Sequence, residues 1–576
     1  MTLPTTQWLL LYSDEHVEDL LISELGLSPL LAKILSARQI KTPEEAKKFL
    51  NPSLHDLYSP FLMKDMEEGV RRLIQAIHRG EKIVIYGDYD ADGVTSVVLL
   101  LKFLKEIGVE AGYYIPHRLK EGYGLKQEVL ADMRERGVSL IVSVDCGISD
   151  YEPVLFARSV GVDIIILDHH EIPGIVPACV AAINPHREDC FFPFKHLAAV
   201  GIVFNFLIAL RGRLRQEGFW TNRVYPNLKK YLDLVALGTI GDISPLLDEN
   251  RIFTKVGIEL INADNRIGIK ALKEVCGVEN QPLDVNRLSF TLLPRINAAG
   301  RVASADDAVN LLLTEDWEEA RTLARKLEEY NRRRQTLEKA IIQDILKEVE
   351  EKGAWEEAGS LVFASPNWHP GVVGIVASRL AEHFLRPVFL ISIKDGIGRG
   401  SGRSIADFDI YEGLKKCASY LLTFGGHRYA AGISLREEDI DAFTQRLDQV
   451  VKAQLDPTKI FTQTFIDGQC RLKDINYDLL CEIDKLAPFG NRNPEPVFCV
   501  RNVNVTESTV VGNNHLRIKV NDNGVSCNSI WYGKGDYLNH LPRHLLDIAF
   551  TPQVVDWHKS SDILLKMRDI SLSSLS

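Results

Sequence analysis

The chain has 576 residues, of which 45% are hydrophobic and 25% are charged. This length predicts three to five domains, and the composition is typical of an ordinary globular protein. The longest apolar stretch, residues 197–210, is interrupted by Asn205 and is too short to span a bilayer. The N-terminus shows no signal peptide, and the nine cysteines include no CxxC pair, which argues against a disulfide scaffold and favours a reducing cytoplasm.

The formal net charge of −11 is unfavourable for binding nucleic acid, because phosphate binding draws on surplus Lys and Arg. Binding needs only a local basic channel, however, and part of the acidic surplus can serve metal ions. The charge therefore weakens a nucleic-acid function without excluding it.

The first 75 residues are predicted to be helical, with a helix start at Thr42, where a Thr cap is followed by Pro43 and two early acids. From about residue 81 to residue 245, apolar runs alternate with amphipathic segments. This alternation predicts βαβ units and a parallel sheet.

Three carboxylates, Asp88, Asp90 and Asp92, follow the first apolar run of this segment, residues 83–86. Carboxylates this close repel one another unless a cation lies between them. At the carboxyl edge of an α/β sheet that cation is usually a divalent metal. A solvated acidic turn or a helix N-cap cluster is the structural alternative.

Three later apolar runs end in the same way. Residues 142–144 precede Asp145, residues 164–167 precede Asp168, His169 and His170, and residues 234–241 precede Asp242. As neighbours in one sheet, the four runs would bring their acids and imidazoles to one crevice. The sequence therefore predicts a metal site assembled from strand ends.

Three segments with different sequence patterns make up the second half of the chain. Residues 316–351 predict one long helix, because Gly and Pro are absent and apolar residues recur at helical spacing. Residues 361–455 predict a Gly-rich α/β domain. From about residue 461, short alternating segments predict a small β-barrel whose Trp531, Tyr532 and Trp557 either stack bases or pack in its core.

The motifs resemble those of the DHH phosphoesterase superfamily. The segments that carry the resemblance are DYDADG at 88–93, VDCG at 144–147, LDHH at 167–170 and GTIGD at 238–242. Further segments are similar to the single-strand-specific exonucleases of that superfamily: RLKEGYGL at 118–125, PRINAAGR at 294–301, WHPG at 368–371, GSGRS at 400–404, FGGH at 424–427, PFG at 488–490 and NPEP at 493–496. The resemblance covers nearly the whole chain in order.

The resemblance implies an α/β architecture of five regions. They are an N-terminal helical region (1–75), a parallel-sheet DHH catalytic domain (76–255), a linker region with a long connecting helix (256–352), a second α/β, DHH-associated, substrate-binding domain (353–456) and a C-terminal OB-like β-barrel that binds nucleic acid (457–576). The catalytic and DHH-associated domains are expected to enclose a channel.

The resemblance also implies two Mn²⁺ or Mg²⁺ ions and assigns roles to individual residues. The metal ligands would be Asp88, Asp90, Asp92, Asp145, His169 and Asp242, with Asp90 and Asp92 on different ions and Asp145 bridging them. His170 would face the substrate, and Asp168 would orient a neighbouring imidazole. Substrate would be bound by Arg118, Arg301, His369, Ser401, Arg403 and His427.

Alternatives to these assignments remain open at two places. Each lone Arg could form a surface salt bridge, and Trp368 with His369 could stack a base or belong to the core. In addition, many superfamily members carry a His four residues before Asp90, where this chain has Tyr86. One metal site is then short of a ligand, with water or Asp88 compensating.

The expected function is a metal-dependent exonuclease that hydrolyses single-stranded DNA from its 5′ end to mononucleotides, in recombinational and mismatch repair. Expected partners are single-stranded DNA, its binding protein and repair helicases, and the protein is expected to be a monomer. A phosphodiesterase for short oligonucleotides or cyclic dinucleotides is the enzymatic alternative, which the predicted barrel argues against. The non-enzymatic alternative is a replication scaffold with a degenerate DHH fold. The intact acids and His169 argue against it.

Overall fold

The computed structural model describes residues 6–172, 174–353, 355–455, 462–541, 545–557 and 560–572. The chain divides into two compact units. One unit comprises Met1–Leu57, Pro245–Lys255 and Phe461–Ser576, and the other comprises Tyr58–Ser244 and Val256–Ile460.

The N-terminal region contains strand β1 (Thr6–Leu10) and helices α1 (Glu15–Leu25), α2 (Pro29–Ala37) and α3 (Pro43–Leu50). Helix α3 begins as predicted, with Thr42 and Glu45 forming a capping box. The prediction of a wholly helical region was wrong at β1, which pairs in parallel with residues 462–466. A partner so distant along the chain leaves no local sequence signal.

The predicted parallel sheet is confirmed in residues 58–244. The elements here are α4 (Met66–Arg79), β2 (Lys82–Tyr86), α5 (Ala91–Glu106), β3 (Ala111–Tyr114), α6 (Gln127–Glu135), β4 (Val138–Val144), α7 (Tyr151–Ser159), β5 (Asp163–Leu167), β6 (Ala181–Ile183), α8 (Ala199–Gln216) and α9 (Leu232–Gly241). The strand order is β3-β2-β4-β5-β6, and every pairing is parallel. Most residues of the central strands β2, β4 and β5 are apolar and buried, as in a parallel sheet that is covered by helices.

The apolar run that precedes Asp242 is helix α9, so its assignment as a fourth strand was wrong. Every residue from Leu232 to Ile240 is buried. A helix that is buried on all sides shows no polar face, and over so short a run its pattern cannot be distinguished from that of a buried strand.

A helical region follows, made of α10 (Asp248–Asn262), α11 (Ile267–Cys276), α12 (Val285–Phe290), α13 (Leu292–Val302), α14 (Asp306–Leu313) and α15 (Trp317–Lys352). Helix α10 is divided between the two units. The long predicted helix is confirmed as α15, which is 36 residues long and is capped by Asp316. Ala320, Ala324 and Leu327 lie on its buried face.

The second α/β domain contains β7 (Leu361–Ser365), α16 (Val373–Phe384), β8 (Val388–Lys394), β9 (Ile397–Arg403), α17 (Ile410–Lys415), β10 (Thr423–His427), β11 (Ala430–Arg436) and α18 (Ile440–Lys452). Its strand order is β10-β11-β9-β8-β7. Only the β7–β8 pairing of this sheet is parallel.

The C-terminal region contains β12 (Thr462–Ile466), β13 (Gly468–Gln469), α19 (Tyr477–Asp484), β14 (Phe498–Val511), β15 (His515–Asp522), β16 (Val525–Trp531), β17 (Leu546–Trp557) and β18 (Ser560–Leu572). Strands β14-β15-β16-β18-β17 close into a barrel because β17 also pairs with β14. This confirms the predicted barrel. Trp531 lies in its core, Tyr532 is half exposed, and the side chain of Trp557 lies outside the described residues.

The barrel and the N-terminal helices share one hydrophobic core. Leu31 and Leu35 of α2 belong to the same buried cluster as Phe498 and Val500 of β14. The two ends of the chain therefore form one folding unit. Within the described residues, no helix has both the length and the apolar character required to cross a membrane.

Candidate metal centre and anion site

Three neighbouring parallel strands deliver acids to the same edge of the sheet. Asp88 follows β2, Asp145 follows β4 and Asp168 follows β5. The carboxyl ends of parallel strands meet at one edge, which explains the convergence. Asp242 reaches this edge from the C-terminal end of α9, where it is the cap residue.

The acidic loop between β2 and α5 is held from two sides. Asp90 caps α5, and its Oδ1 accepts hydrogen bonds from the backbone N–H groups of Asp92 at 2.9 Å and Gly93 at 3.2 Å. A Cβ at Gly93 would lie 2.5 Å from the carbonyl oxygen of Asp88, so only glycine fits there. Asn297 of α13 accepts a hydrogen bond from the N–H of Ala91 at 2.8 Å. The PRINAAGR segment at 294–301 therefore supports this loop, a role that the sequence did not reveal.

Asp92 is fixed at the beginning of helix α8. Its two carboxylate oxygens accept hydrogen bonds from the N–H groups of Ala199 at 2.8 Å and Val200 at 2.9 Å. The positive end of a helix dipole stabilises a carboxylate, so a buried Asp92 is held in a defined orientation.

The acids and imidazoles form three groups whose donor atoms lie within 4.8 Å of one another. The groups are Asp88, Asp90 and Asp145; Asp92, His169 and Asp242; and Asp145, His169 and His170. His169 Nε2 lies 3.3 Å from Asp145 Oδ1 and 3.8 Å from Asp242 Oδ1. Asp90 and Asp92 therefore fall in different groups, and Asp145 belongs to both the first and the third.

The residues present fit divalent cations. Two buried atoms, Asp88 Oδ1 and His169 Nε2, have no hydrogen-bond partner among the described residues. Burial, together with repulsion between neighbouring carboxylates, raises the pKa of Asp88, Asp92 and Asp145 well above the ordinary range. Cations at the centre of these groups would relieve that repulsion, and hard oxygens with imidazole suit Mn²⁺ or Mg²⁺.

Asp145 has an unusual backbone conformation. Its φ is 61°, in the left-handed region that residues other than Gly, Asn and Asp rarely adopt. Its N–H donates to the carbonyl of Leu167 at 3.0 Å, and Tyr123 Oη donates to its carbonyl at 3.0 Å. Tyr123 lies between Gly122 and Gly124, both with positive φ. No role for Tyr123 follows from the sequence, although the glycines on both sides mark a tight turn there.

Asp168 and His170 form a hydrogen-bonded pair, the contact that the predicted orienting role of Asp168 requires. The fully buried Asp168 accepts a hydrogen bond from His170 Nδ1 at 2.7 Å and another from the N–H of Ile148 at 3.0 Å. Burial alone would raise the pKa of Asp168, but the hydrogen bonds from His170 and Ile148 and the charges of His170 and His169 together outweigh it and lower that pKa to about 2. Burial lowers the pKa of His170, but the hydrogen bond and charge of Asp168, with the charges of Asp242 and Asp88, together raise it to about 9.

A group of cations lies beside the acids. Arg118, Arg301 and Arg403 form no ion pair with a carboxylate among the described residues, so the salt-bridge alternative does not apply to them. Burial and the charge of Arg118 lower the pKa of Arg301 to about 10 and also lower that of Arg403. Arg403 Nη1 donates to Ser401 Oγ at 3.1 Å. Crowded guanidinium groups with a hydroxyl suit an anion such as a phosphate.

A glycine on helix α16 leaves room next to this cation group. A Cβ at Gly374 would lie 2.9 Å from Ser401 Oγ and 3.3 Å from Arg403 Nη2. His427 lies in the same electrostatic environment, since burial and the charges of Arg403 and His170 lower its pKa. Arg118 also contacts the acidic loop, with its guanidinium 4.9 Å from the centre of the Tyr89 ring.

Trp368 and His369 have structural partners. Trp368 is buried and its Nε1 donates to Asp344 at 3.1 Å, so it belongs to the core rather than to a base-stacking surface. His369 Nδ1 accepts a hydrogen bond from the N–H of Gly371 at 3.1 Å, and burial lowers its pKa. Substrate binding by His369 stays a prediction.

Tyr86 is a packing residue. Its side chain is fully buried, its ring lies 5.2 Å from that of Tyr114, and its hydroxyl donates to the carbonyl of Gly124 at 3.1 Å. Residue 86 therefore belongs to the core. Asp88 supplies the additional donor of the first group.

Comparison with known proteins agrees with this arrangement. Family models match at residues 82–239 (DHH family, N-terminal domain), 358–453 (DHHA1 domain) and 466–569 (RecJ OB domain). The single-stranded-DNA-specific exonuclease RecJ of Bacillus subtilis is 36% identical over 572 residues, which cover 98% of this chain and 71% of the relative. That of Escherichia coli is 38% identical over 506 residues, which cover 86% of this chain and 87% of the relative.

Solved structures show the same likeness. The crystal structure of RecJ from Thermus thermophilus in complex with Mn²⁺ matches with a TM-score of 0.85 and 29% identity, over 99% of this chain and 80% of that one. Its complex with Mg²⁺ matches with a TM-score of 0.79. The order of the three domain models and the identity across most of both sequences establish that the chain belongs to the RecJ family, within the DHH phosphoesterases.

Proposed function

We propose that the protein is a metal-dependent exonuclease that hydrolyses single-stranded DNA from the 5′ end and releases 5′-mononucleotides. The observation that carries this proposal is the position of a cation group (Arg118, Arg301 and Arg403, with Ser401) next to two acidic groups. Asp145 of the first group lies 3.3 Å from His169 of the second. One set of residues suits the chemistry of phosphodiester hydrolysis, and the other suits recognition of a strand end.

The two carboxylate groups would hold one ion each. Asp88 and Asp90 would hold the first, Asp92, His169 and Asp242 the second, and Asp145 would bridge them. When bound, two divalent ions neutralise phosphoryl oxygens and supply a hydroxide at neutral pH. The protein holds the ligands rigidly, because Asp90 and Asp92 each cap a helix.

His170 would act on the substrate phosphate. Because its Nδ1 donates to Asp168, its Nε2 is the atom left to hydrogen-bond a phosphate oxygen or to pass a proton to the leaving oxygen. Asp168 keeps the ring in this orientation and favours the charged imidazolium. The pair therefore contributes orientation and a positive charge.

The cation group would select the strand end. A terminal phosphate carries more charge than an internal one, and charge-assisted hydrogen bonds are stronger than neutral ones. Arg118, Ser401 and Arg403 would bind a terminal phosphate while the adjacent diester lies at the carboxylate groups. The 5′ direction follows from the similarity of these segments to those of single-strand-specific exonucleases.

The same proposal includes the cellular setting. We place the protein in the cytoplasm as a monomer that acts in recombinational and mismatch repair with a single-strand-binding protein and repair helicases. What supports the choice of setting is the likeness to relatives that are named single-stranded-DNA-specific exonucleases.

The direct test uses strands labelled at either end. With Mn²⁺, a 5′ label should appear as a mononucleotide from the first moments, whereas a 3′ label should remain on shortening products. A duplex, a dinucleotide and a cyclic dinucleotide serve as competing substrates. Initial release of the 3′ label, or faster hydrolysis of the dinucleotides than of long strands, would contradict the proposal.

A further inference from the structure

A basic segment lies outside the site described above. Residues 211–230 contain six Lys or Arg and one acid, Glu217, in a chain whose net charge is −11. The segment covers the last turn of α8, the loop after it and the 3-10 helix Leu228–Tyr231. Such a local concentration of positive charge attracts a polyanion even when the whole protein is acidic.

Most of these cations are not neutralised by the protein. Arg213 pairs with Glu67 and Lys230 with Glu106, while Glu217 is engaged by His78 at 3.1 Å. Four others form no ion pair with a carboxylate within the described part of the chain: Arg211, Arg215, Arg223 and Lys229. The last three are exposed, so their charge faces solvent.

Aromatic rings alternate with these cations. The guanidinium carbons of Arg211 and Arg215 lie 4.6 Å and 5.6 Å from the centre of the Tyr225 ring. Arg223 lies 4.1 Å from the centre of the Phe219 ring. Tyr225 is 42% exposed. Stacking faces next to arginines are what single-stranded nucleic acid uses when it binds without sequence preference.

The loop is held in place by its own hydrogen bonds. Trp220 Nε1 donates to the carbonyl of Arg211 at 3.2 Å, and Arg211 Nη1 donates to that of Pro226 at 2.8 Å. Arg223 Nη1 donates to the carbonyl of Ile107 at 3.1 Å. A surface ordered in advance loses less conformational entropy when it binds a ligand.

We propose that this cation–aromatic surface (Arg211, Arg215, Phe219, Arg223, Tyr225 and Lys229) is a second binding site for single-stranded DNA, separate from the hydrolytic site. The inference rests on the proposed function for its substrate. Arg215 follows Ala199, whose N–H binds Asp92, by 16 residues on one helix. The two sites therefore lie about 24 Å apart along α8, and only a long strand would reach both.

The test removes charge from this surface. Arg215→Gln/Arg223→Gln/Lys229→Gln should weaken binding of a long single strand and raise its KM, with kcat on a strand of a few nucleotides unchanged. The slope of log K against log salt should fall by about 2, since each phosphate contact to a single strand contributes about 0.7. Binding is measured with metal chelated, so that no strand is degraded.

The matched control removes three exposed lysines elsewhere in the same unit, Lys339→Gln/Lys347→Gln/Lys394→Gln, and should leave the slope unchanged. Because Arg223 also supports the loop, Arg215→Gln/Lys229→Gln is measured beside it, with an expected fall of about 1.4 in the slope. Melting curves confirm that the variants are folded. An unchanged slope in both variants, or an equal loss on short and long strands, overturns the proposal.

Photo-crosslinking of the unmodified protein gives an independent result. A long strand that carries photoreactive bases should crosslink within residues 216–229, and a strand of a few nucleotides should not. Absence of this crosslink, or binding of an acidic peptide here with DNA binding unaffected, overturns the DNA assignment. If the unmodified protein degrades no single strand, the proposed function itself fails, whereas normal degradation with an unchanged salt slope refutes only this surface.

Discussion

The carboxylate groups and the cation group differ in both charge and construction. Asp88, Asp145 and Asp168 come from the ends of neighbouring strands, and Asp92 is fixed by a helix N-terminus through the bonds from Ala199 and Val200. The cation group is drawn from segments far apart in sequence, including Arg118 and Arg403. Under the proposed function, hydrolysis within this unit would depend on one compact sheet edge, and end recognition on residues drawn from two domains. Substitutions in the two groups should therefore separate rate from selectivity.

The largest effect is expected at Asp145. Asp145→Asn should reduce hydrolysis by more than about a hundredfold, because the residue would bridge both ions. Asn tolerates the left-handed backbone, whereas Asp145→Ala adds a strain of about 1–2 kcal/mol. The measurement is the rate at saturating Mn²⁺.

Melting curves with and without Mn²⁺ complete this test. The ion should stabilise the unmodified protein by mass action and stabilise Asp145→Asn less. Removing one of several repelling buried acids should leave the metal-free variant at least as stable as the unmodified protein. A rate near that of the unmodified protein would refute the bridging role.

Loss of the group that orients His170 should have a smaller effect. We expect Asp168→Asn to lower kcat by about 10- to 100-fold, the usual range for a residue that positions an active-site imidazole. The KM for single strands should change little, because Asp168 is buried and does not face the substrate. A larger change in KM than in kcat would show that the pair serves binding instead.

Selectivity should change at Arg403 with a modest loss of rate. Arg403→Ala should reduce the preference for 5′-phosphorylated over 5′-hydroxyl strands by about tenfold or more, since a hydrogen bond to a charged group contributes about 1.5–3 kcal/mol. Arg436→Ala, an exposed arginine on the same sheet, is the control. Equal losses on both substrates would place end recognition elsewhere.

The smallest effect is expected at Tyr86. Tyr86→Phe should lower the free energy of unfolding by about 1 kcal/mol, because the hydroxyl bond to Gly124 is lost. The Mn²⁺ concentration for half-maximal activity should stay the same, both in this variant and in any Tyr86→His protein that folds. A lower Mn²⁺ requirement in Tyr86→His would show that residue 86 reaches the metal centre after all.

Features that depend on interactions between residues close in sequence could be predicted, and features that depend on residues far apart in sequence could not. Asp88, Asp145 and Asp168 could be predicted because each follows a recognisable apolar strand. Asp242 was predicted to join them, but through a strand, since the buried helix α9 has the same composition. The cation group came from resemblance alone, because no local pattern relates Arg118 to Arg403.

Roles that depend on packing partners could not be predicted from the sequence. Nothing adjacent to Tyr86 shows that it fills the core, and nothing near Trp368 shows that Asp344 accepts its N–H. Tyr123 and Asn297 lie in the motifs at 118–125 and 294–301, but their contacts with Asp145 and Ala91 are visible only in the three-dimensional structure.

The shared core of the chain ends has a consequence for biosynthesis. Helices α1 and α2 bury residues such as Leu21 and Leu35 in a cluster completed by Phe498 and Leu565. About 400 residues are translated between the two parts, which at about 5–20 residues per second takes roughly 20–80 s. During that time the N-terminal helices emerge from the ribosome with their apolar faces uncovered. The unit that contains the barrel therefore cannot complete its core until the C-terminal strands have been synthesised.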